Sequence, residues 1–436
     1  FHQLTGKALT LMASPALLLF LLGVTVFVGL ISGIYPAVVL SGFQPVLTLK
    51  GSFKSSGRGL ALRKTLVVLQ FVITIVLVTG IVIISSQMSF IKHKDLGYNK
   101  DALLFLRING NTDVVKGYEA FQNELKSSPL ISGIATSNSL IAGGLGEGGS
   151  ETVDKAGNPL QVNTARLRAD SSFLSVYGIQ LVAGSNFSSS AATDSIRPII
   201  LNETAVRKIG WSSNEAALGK PFKMGDQKGV VIGVTRDFHF NSLGQAIAPL
   251  AIFPTGGHFS RVTLRVDIRK ADDVIALLQN TWRKHFPSAL FDYDFVSEQI
   301  KAQYKADERF SDIFLYFSIL SLLIACLGLY GLISFAIFQK TKEIGIRKVL
   351  GATVSRLAIA LSGNFVKLVL LAYVISVPIA WYCMNRWLED FAYRIGLSWW
   401  MFAVAGLLVL LIAILTVGIQ SIKAALVNPV KNLRAE

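Results

Sequence analysis

The sequence predicts a membrane protein with all-α transmembrane helices, five in number, and a mixed α/β extracytoplasmic domain inserted between the second and third spans. Three observations carry that expectation. Apolar residues make up 52% of the 436-residue chain and the mean hydropathy is +0.51, too apolar for an ordinary soluble protein. The most apolar stretches lie toward the two ends, in runs long enough to cross a hydrocarbon core of ~30 Å. Lys and Arg gather beside those runs, which orients such a chain with its basic segments in the cytoplasm.

Residues 15–40 form the first expected span, opening at Pro15, with Gly23, Gly29 and Gly33 able to admit close helix contacts. The segment after it carries Lys50, Lys54, Arg58, Arg63 and Lys64. Residues 52–64 are therefore expected to be a cytoplasmic linker, with Phe1 on the outer side. Residues 65–87, uncharged and rich in Val and Ile, form the second span.

From 90 to 300 the membrane pattern breaks, and charges, Gly and Ser return. Runs suited to strands are 103–108, 131–137, 161–167, 196–201, 228–235, 261–267 and 290–296. Runs suited to helices are 113–127, 170–177, 203–209 and 271–286. This reads as a mixed α/β domain of one or two subdomains, on the side opposite the basic loops.

The charged stretch 297–309 suits a helix and leads directly into the third span, giving a stalk and span over 301–338. Residues 353–365 set Leu357, Ala360 and Leu361 on one face and suit an interfacial shoulder. Lys367 would cost ~2.5–3.5 kcal/mol at a bilayer centre. The fourth span is therefore expected over 368–384, with Lys367 reaching back to the cytoplasmic surface and Pro378 as a kink. The fifth span is 399–421, and Lys423, Lys431 and Arg434 hold the tail inside. Trp381, Tyr382, Trp387, Tyr393, Trp399 and Trp400 surround the 385–398 turn and read as an aromatic belt at the outer interface.

The stretch 340–353, KTKEIGIRKVLGAT, lies between two apolar runs. Ile346, Val349 and Leu350 fall at i, i+3 and i+4 and share one face of a short helix. Glu343 and Arg347 form an i, i+4 pair on another face, and Gly351 stands where a helix-ending glycine would. A loop that only sets orientation needs no amphipathic helix. The pattern points to a helix docking on a soluble cytoplasmic partner, through Lys342, Glu343, Ile344, Gly345, Ile346, Arg347, Lys348, Val349, Leu350 and Gly351.

Other chemistry is thin. No P-loop occurs: Gly219-Lys220 lacks the upstream glycine and is followed by Pro221, so ATP hydrolysis is not expected of this chain. The run 142–149, AGGLGEGG, could cradle an anion, but reads more simply as a mobile loop. Asp237 and His239 sit two apart at a predicted strand end, too few for a metal, and His258 is not at motif spacing; structural roles are expected. Cys326 and Cys383 lie inside apolar runs and support neither a disulfide nor a metal site. No catalytic residue, cofactor or metal ligand is expected, so the chain is not read as an enzyme. The net charge of +15 is explained largely by membrane topology, and with no nucleic-acid motif present no nucleic-acid partner is expected.

EIGIRKVLGA (343–352) resembles the hallmark of the FtsX/MacB-like permeases, the type VII class of ABC transporter membrane subunits. SSFLSVYGIQLVAGSNFS (171–188), PIILNETAVRKIGW (198–211), ALGKPF (217–222) and VVIGVTRDFHFNSL (230–243) resemble the MacB-like periplasmic core domain. SVPIAWYCMNRWLEDFAYRI (376–395) is similar to paired-repeat permeases common in Bacteroidota. The resemblance implies that 340–353 is a coupling helix meeting a cytoplasmic ATP-binding subunit, and that 90–300 is periplasmic in a multi-pass inner-membrane protein. It also implies lipid contact and room for a periplasmic adaptor. ATP-driven motion would pass to the outer domain by mechanotransmission, exporting or extracting peptides, lipoproteins or amphiphilic compounds. Some FtsX-like proteins use the same motion to control an extracytoplasmic cell-wall hydrolase, and that regulatory reading stays open as the alternative.

Residues 44–50 (QPVLTLK) match 428–434 (NPVKNLR), and Phe1…Gly6 aligns with Phe391…Gly396 if the first copy carries about six extra residues. These matches imply a duplicated permease. Residues 1–51 would be the end of repeat one and 60–436 repeat two, with 301–436 its FtsX-like part. The remaining partner would be the rest of the first repeat, or a second permease copy. The chain opens in mid-pattern and is expected to belong to a longer protein.

Overall fold

The computed structural model describes residues 15–41 and 57–426, apart from 109, 142, 189–196 and 351. The repeated segments 44–50 and 428–434, Phe1…Gly6, and Gly351 lie outside the described residues. The chain divides into two compact units. One holds the described parts of Phe1–Gln87, Asp307–Trp387 and Gly396–Glu436; the other holds Met88–Ala306 and Leu388–Ile395.

Two helices open the chain, α1 (Pro15–Ser41) and α2 (Gly57–His93). Then follow β1 (Leu103–Arg107), α3 (Thr112–Lys126), β2 (Ile131–Ser137), β3 (Glu147–Val153) and β4 (Pro159–Ala169). Next come α4 (Phe173–Tyr177), β5 (Leu181–Gly184), β6 (Arg197–Asn202), α5 (Glu203–Ile209), β7 (Pro221–Met224) and β8 (Gln227–Thr235). The α/β region ends with β9 (Leu250–Pro254), β10 (Arg261–Val266), α6 (Ala271–His285) and β11 (Tyr293–Phe295). Three long helices finish the described chain: α7 (Val296–Val349), α8 (Val354–Leu388) and α9 (Trp399–Leu426).

The α/β unit has two parts. In the first, β11, β1, β10 and β2 lie side by side, all antiparallel. Leu104 faces Leu264 and Leu106 faces Val262 across the ladder, so period-two alternation brings their side chains to one face. On that face lies a core shared with α3 and α6, centred on Phe121, Leu278, Trp282 and Phe286. Local chemistry fixes both helices. Asn111 caps α3 by accepting from the N–H groups of Asp113 and Val114 at 3.0 and 3.3 Å. Helix α6 begins with Asp272 and Asp273 and ends with Arg283, Lys284 and His285, the charge order its dipole favours.

In the second part, β4, β3, β7, β8, β6 and β9 pair in turn, and β9 returns to pair with β4. Closure removes the free edges that invite aggregation. Its core holds Leu201, Trp211, Phe222, Val231 and Phe253. The two parts join where β2 meets β4, at Ser137 opposite Ala169, with Asn138 N–H donating to Arg168 O at 3.0 Å and Asp170 N–H to Thr136 O at 3.1 Å.

Strands β3, β5, β7 and β9 have no counterpart among the sequence expectations. Three of them are only four or five residues long, too short for a clear period. Strand β3 overlaps the glycine-rich run expected to be a loop, and Glu147, Gly148 and Gly149 are strand residues. Its inward side chains are polar, so alternation does not announce it. Ser150 Oγ donates to Val162 O at 2.7 Å, and Thr152 Oγ1 to Pro221 O at 2.7 Å.

In the other unit, four helices are long and apolar enough to cross a membrane: Ala61–His93, Asp307–Gln339, Ser362–Leu388 and Trp399–Lys423. Phe71 and Ile75 of α2, Leu329 and Ile333 of α7, Val369 and Ala372 of α8, and Val409 and Ala413 of α9 form a shared core. Two cross-helix hydrogen bonds lie within it: Thr74 Oγ1 with Ser321 Oγ at 2.8 Å, and Gln420 Nε2 to Ser334 Oγ at 2.9 Å. A Cβ on Gly406 would overlap the Tyr373 ring, so that ring of α8 packs directly on the α9 backbone and a larger residue would have to displace it.

Five spans were expected. Among the described residues of α1, the apolar stretch Leu18–Leu30 is shorter than the other four. The described side chains from Leu18 to Leu30 are exposed, and a Cβ placed at Gly23 or Gly29 meets nothing within 4 Å. Among the described residues, no neighbouring helix lies against either position. Part of the expected 52–64 linker, from Gly57 onward, is already helix in α2.

Candidate functional site

Residues 342–349 of the expected docking stretch form the last turns of α7, and Leu350 follows it. The helix runs unbroken from Val296 to Val349, so 340–349 is not a separate short helix. Between Phe338 and Glu343 there is neither Pro nor Gly, and the lone Gly345 costs only about 1 kcal/mol relative to Ala, too little to stop a long helix. The expected shoulder 353–365 is likewise continuous with the span that follows it, in α8. Lys367 is exposed and Pro378 lies inside that helix.

Leu350 N–H donates to Ile346 O at 3.0 Å, and Ala352 N–H reaches back to Arg347 O at 3.0 Å. The second bond spans five residues, the pattern that satisfies the last carbonyls of a helix. Helix α8 starts with Arg356 N–H donating to Thr353 Oγ1 at 3.4 Å, a capping bond. Two tight helix ends thus define the connection at 350–353. Ile346 is 54% exposed and Leu350 80%, one turn apart, and Arg347 is exposed between them. The side chains of Lys342, Glu343, Ile344, Lys348 and Val349 lie outside the described residues, and with them the expected Glu343–Arg347 pair.

Sequence reasoning missed a second site. Tyr393, expected in an aromatic belt, belongs instead to the segment Leu388–Ile395, which is part of the α/β unit. Its ring meets the His239 imidazole edge-on at 4.8 Å, and Lys94 Nζ sits 4.6 Å from the ring centroid. Ala392 N–H donates to Gly244 O at 2.9 Å, and Ile247 N–H reaches the Tyr393 hydroxyl at 3.5 Å. The connection between α8 and α9 is therefore pinned to the α/β unit. The partners lie some 150 residues apart in sequence, and no local pattern announces such a contact.

Asp237 and His239 lie beyond the end of β8 rather than on it, and they turn to different tasks. Asp237 accepts from Thr204 N–H and Oγ1, both at 2.9 Å, and from Arg207 Nη2 at 2.6 Å, holding the start of α5. Burial, with the Lys94 ammonium nearby, holds the His239 imidazole down at about 4, against the opposing pull of Asp237 and Asp95. A histidine depressed in the folded state stabilises fully above its unfolded value of about 6.5, and that stability is lost as pH falls toward 4. The melting temperature should therefore drop between pH 6.5 and 4, and His239→Gln should make that drop shallower. Equal pH slopes for wild type and variant would show that His239 does not set it.

Among the described residues, no group of three or more His, Cys, Asp or Glu side chains could hold a metal ion. Cys383 is exposed and Cys326 half-buried, and neither is in a disulfide.

Residues 65–287 match the family model of the MacB-like periplasmic core domain, and residues 315–429 that of the FtsX-like permease C-terminal domain. With several apolar helices, these matches define a multi-pass inner-membrane protein with an extracytoplasmic segment. More narrowly, the chain belongs to the FtsX/MacB-like permease family, since the first match alone covers just over half of it. That family is one of permeases, not of catalysts.

The macrolide export ATP-binding/permease protein MacB of Chromobacterium violaceum is 25% identical over 205 residues, which cover 44% of this chain and 31% of that protein. The chain thus spans about a third of that curated relative's length. The periplasmic region of MacB from Actinobacillus actinomycetemcomitans is similar at 15% identity and a TM-score of 0.34, over 48% of this chain and 95% of that one. A domain of a permease protein from Porphyromonas gingivalis is similar at 16% identity and a TM-score of 0.31, over 44% and 89%.

Proposed function

We propose that this chain is the membrane subunit of an ABC transporter, driven by a cytoplasmic ATP-binding partner and working by mechanotransmission. The observation that carries the reading is α7. A single helix joins the end of β11, in the α/β unit, to the basic segment with exposed Ile346 and Leu350. Motion imposed at the end of α7 would have one continuous helix to follow, and α2 and the Leu388–Ile395 segment supply further covalent connections. The Thr74–Ser321 and Gln420–Ser334 bonds join neutral groups, which suits action outside the membrane better than an ion path through it.

In this reading the chain contributes five spans, with α1 as the first, and the α/β domain is inserted between the second and third. The exposed apolar sides of α1 suit contact with lipid and with the rest of a duplicated permease, or a second permease copy. Peptides, lipoproteins or amphiphilic compounds are the cargo classes, moved on the periplasmic side with or without an adaptor. The test is to purify the full-length protein with its ATP-binding subunit and measure ATP hydrolysis with and without the permease. Stable association and permease-dependent hydrolysis are expected; failure to associate overturns the reading.

Topology is separately testable by cysteine labelling. Ser150 is fully buried and would report nothing, whereas Ala156 lies in the exposed β3–β4 turn. With Cys326 and Cys383 replaced, Ala156→Cys should react with an impermeant reagent once the outer membrane is permeabilised and the inner membrane is intact. Reaction only after inner-membrane lysis would reverse the orientation.

A further inference from the structure

One end of the β1–β10 ladder borders a cavity of about 220 Å³, wholly within the α/β unit. Among its lining residues are Arg107, Arg261, Ser139, Gly143, Gly144 and Gln299, and no carboxylate lines it. Arg107 and Arg261 stand directly opposite each other in the antiparallel register. Like charges so placed repel unless something neutralises them.

Arg107 has its own neutralisation, with Nη1 on Asp292 at 2.7 Å and Nη2 on Asp294 at 3.1 Å. Among the described residues Arg261 has no hydrogen-bonded carboxylate: its Nη1 donates to the neutral carbonyl of Ser260 at 2.8 Å, and Asp292, which acts on it through space, is bonded to Arg107. Burial and the adjacent Arg107 hold its guanidinium below the usual value, with Asp292 opposing. A half-buried cation therefore lines the cavity with no carboxylate hydrogen-bonded to it among the described residues. The glycine-rich run meets it there. Gly144 has φ +76° and is exposed, so its backbone is open to close approach. Among the described residues, the Ser139 hydroxyl and Gln299 amide have no hydrogen-bond partner of their own.

We propose that this cavity binds one oxyanion, a phosphate or carboxylate group, held by the Arg261 guanidinium with help from Ser139 and Gln299. Arginine forks match such groups geometrically. The volume lies below the roughly 300–1,000 Å³ of pockets that enclose a whole drug-sized ligand, so it suits a free ion or the anionic end of a larger molecule.

The test uses the full chain in an uncharged detergent. It is titrated with inorganic phosphate, and separately with short-chain phosphatidic acid, by calorimetry. Saturable binding of either supports the proposal; phosphatidic acid alone would assign a lipid headgroup, and phosphate would assign the free ion. Arg261→Gln should weaken binding by roughly 10- to 100-fold, the range for losing a hydrogen bond to a charged group. Arg261→Lys should lose less, and Arg283→Gln, an exposed charge on α6, should lose nothing. If Arg261→Gln lowers the melting temperature, Ser139→Ala decides, with a loss of roughly 3- to 10-fold expected. No saturable binding of either probe, or an equal loss from Arg283→Gln and Arg261→Gln, overturns the proposal.

Discussion

Trp282→Ala is expected to remove about 3–5 kcal/mol from the α/β domain. The residue is 2% exposed and lies at the centre of the layer between α6 and the β11-β1-β10-β2 sheet. Its indole meets Phe121 edge-on at 5.6 Å, Phe286 at 5.0 Å and Phe291 at 5.9 Å, and Nε1–H donates to Ala289 O at 3.1 Å. Truncation loses the transfer energy and leaves a cavity, because Phe121 and Leu125 are fixed by α3 and cannot collapse into it. Domains hold only about 5–15 kcal/mol in all, so this one change threatens the whole layer. Thermal melting and protease sensitivity of the extracytoplasmic region are the readouts. Trp282→Phe, which keeps a ring and loses the hydrogen bond, should fall between. A Trp282→Ala melt matching wild type would mean that this core does not limit the domain's stability.

The same residues explain what the sequence reveals. Helix α6 is legible because Val274, Leu278 and Trp282 recur every four residues on its buried face. Strand β1 is legible as a dense apolar run, and β10 by the alternation of Val262, Leu264 and Val266 with polar residues. Strand β3 is not, because Gly148 and Gly149 are poor strand formers and the inward Ser150 and Thr152 look like surface residues. Their burial makes sense only once β4 and β7 supply acceptors, a long-range fact. Tyr393 fails for the same reason: beside Trp387, Trp399 and Trp400 it looks like a membrane-interface aromatic, yet its partners are His239 and Lys94. Arg261 is visible only as one more basic residue until the register sets it opposite Arg107.

The 340–353 stretch is the reverse case. Its amphipathic spacing and basic character are plain in the sequence, and the exposure of Ile346 and Leu350 agrees with that pattern. What spacing could not tell is where the helix starts. Periodicity reports which face is apolar, whereas a boundary requires a breaker, and none stands between Phe338 and Glu343. On the proposed reading the continuity matters, because a segment fused to α7 cannot tilt without carrying the end of that helix with it.

On the proposed reading, Ile346→Asp and Leu350→Asp should each abolish coupling to the ATP-binding subunit. Each apolar side chain, buried in a partner's cleft, contributes ~1.5–3 kcal/mol. A carboxylate in its place forfeits that and adds the cost of an unpaired buried charge. The combined loss exceeds ~3 kcal/mol, more than a hundredfold in affinity. Leu350→Ala, which loses only the apolar contribution, should weaken association roughly tenfold. Membrane insertion should not change, since one acid contributes little to orientation. Glu343→Lys probes the polar face: its i, i+4 pairing with Arg347 would be worth only ~0.2–0.5 kcal/mol to the helix. A large functional loss there would mean that Glu343 contacts the partner itself. Co-purification and ATP hydrolysis by the reconstituted complex are the measurements, with expression level as the control. Wild-type coupling in both aspartate variants would reduce this stretch to a basic segment that only sets orientation.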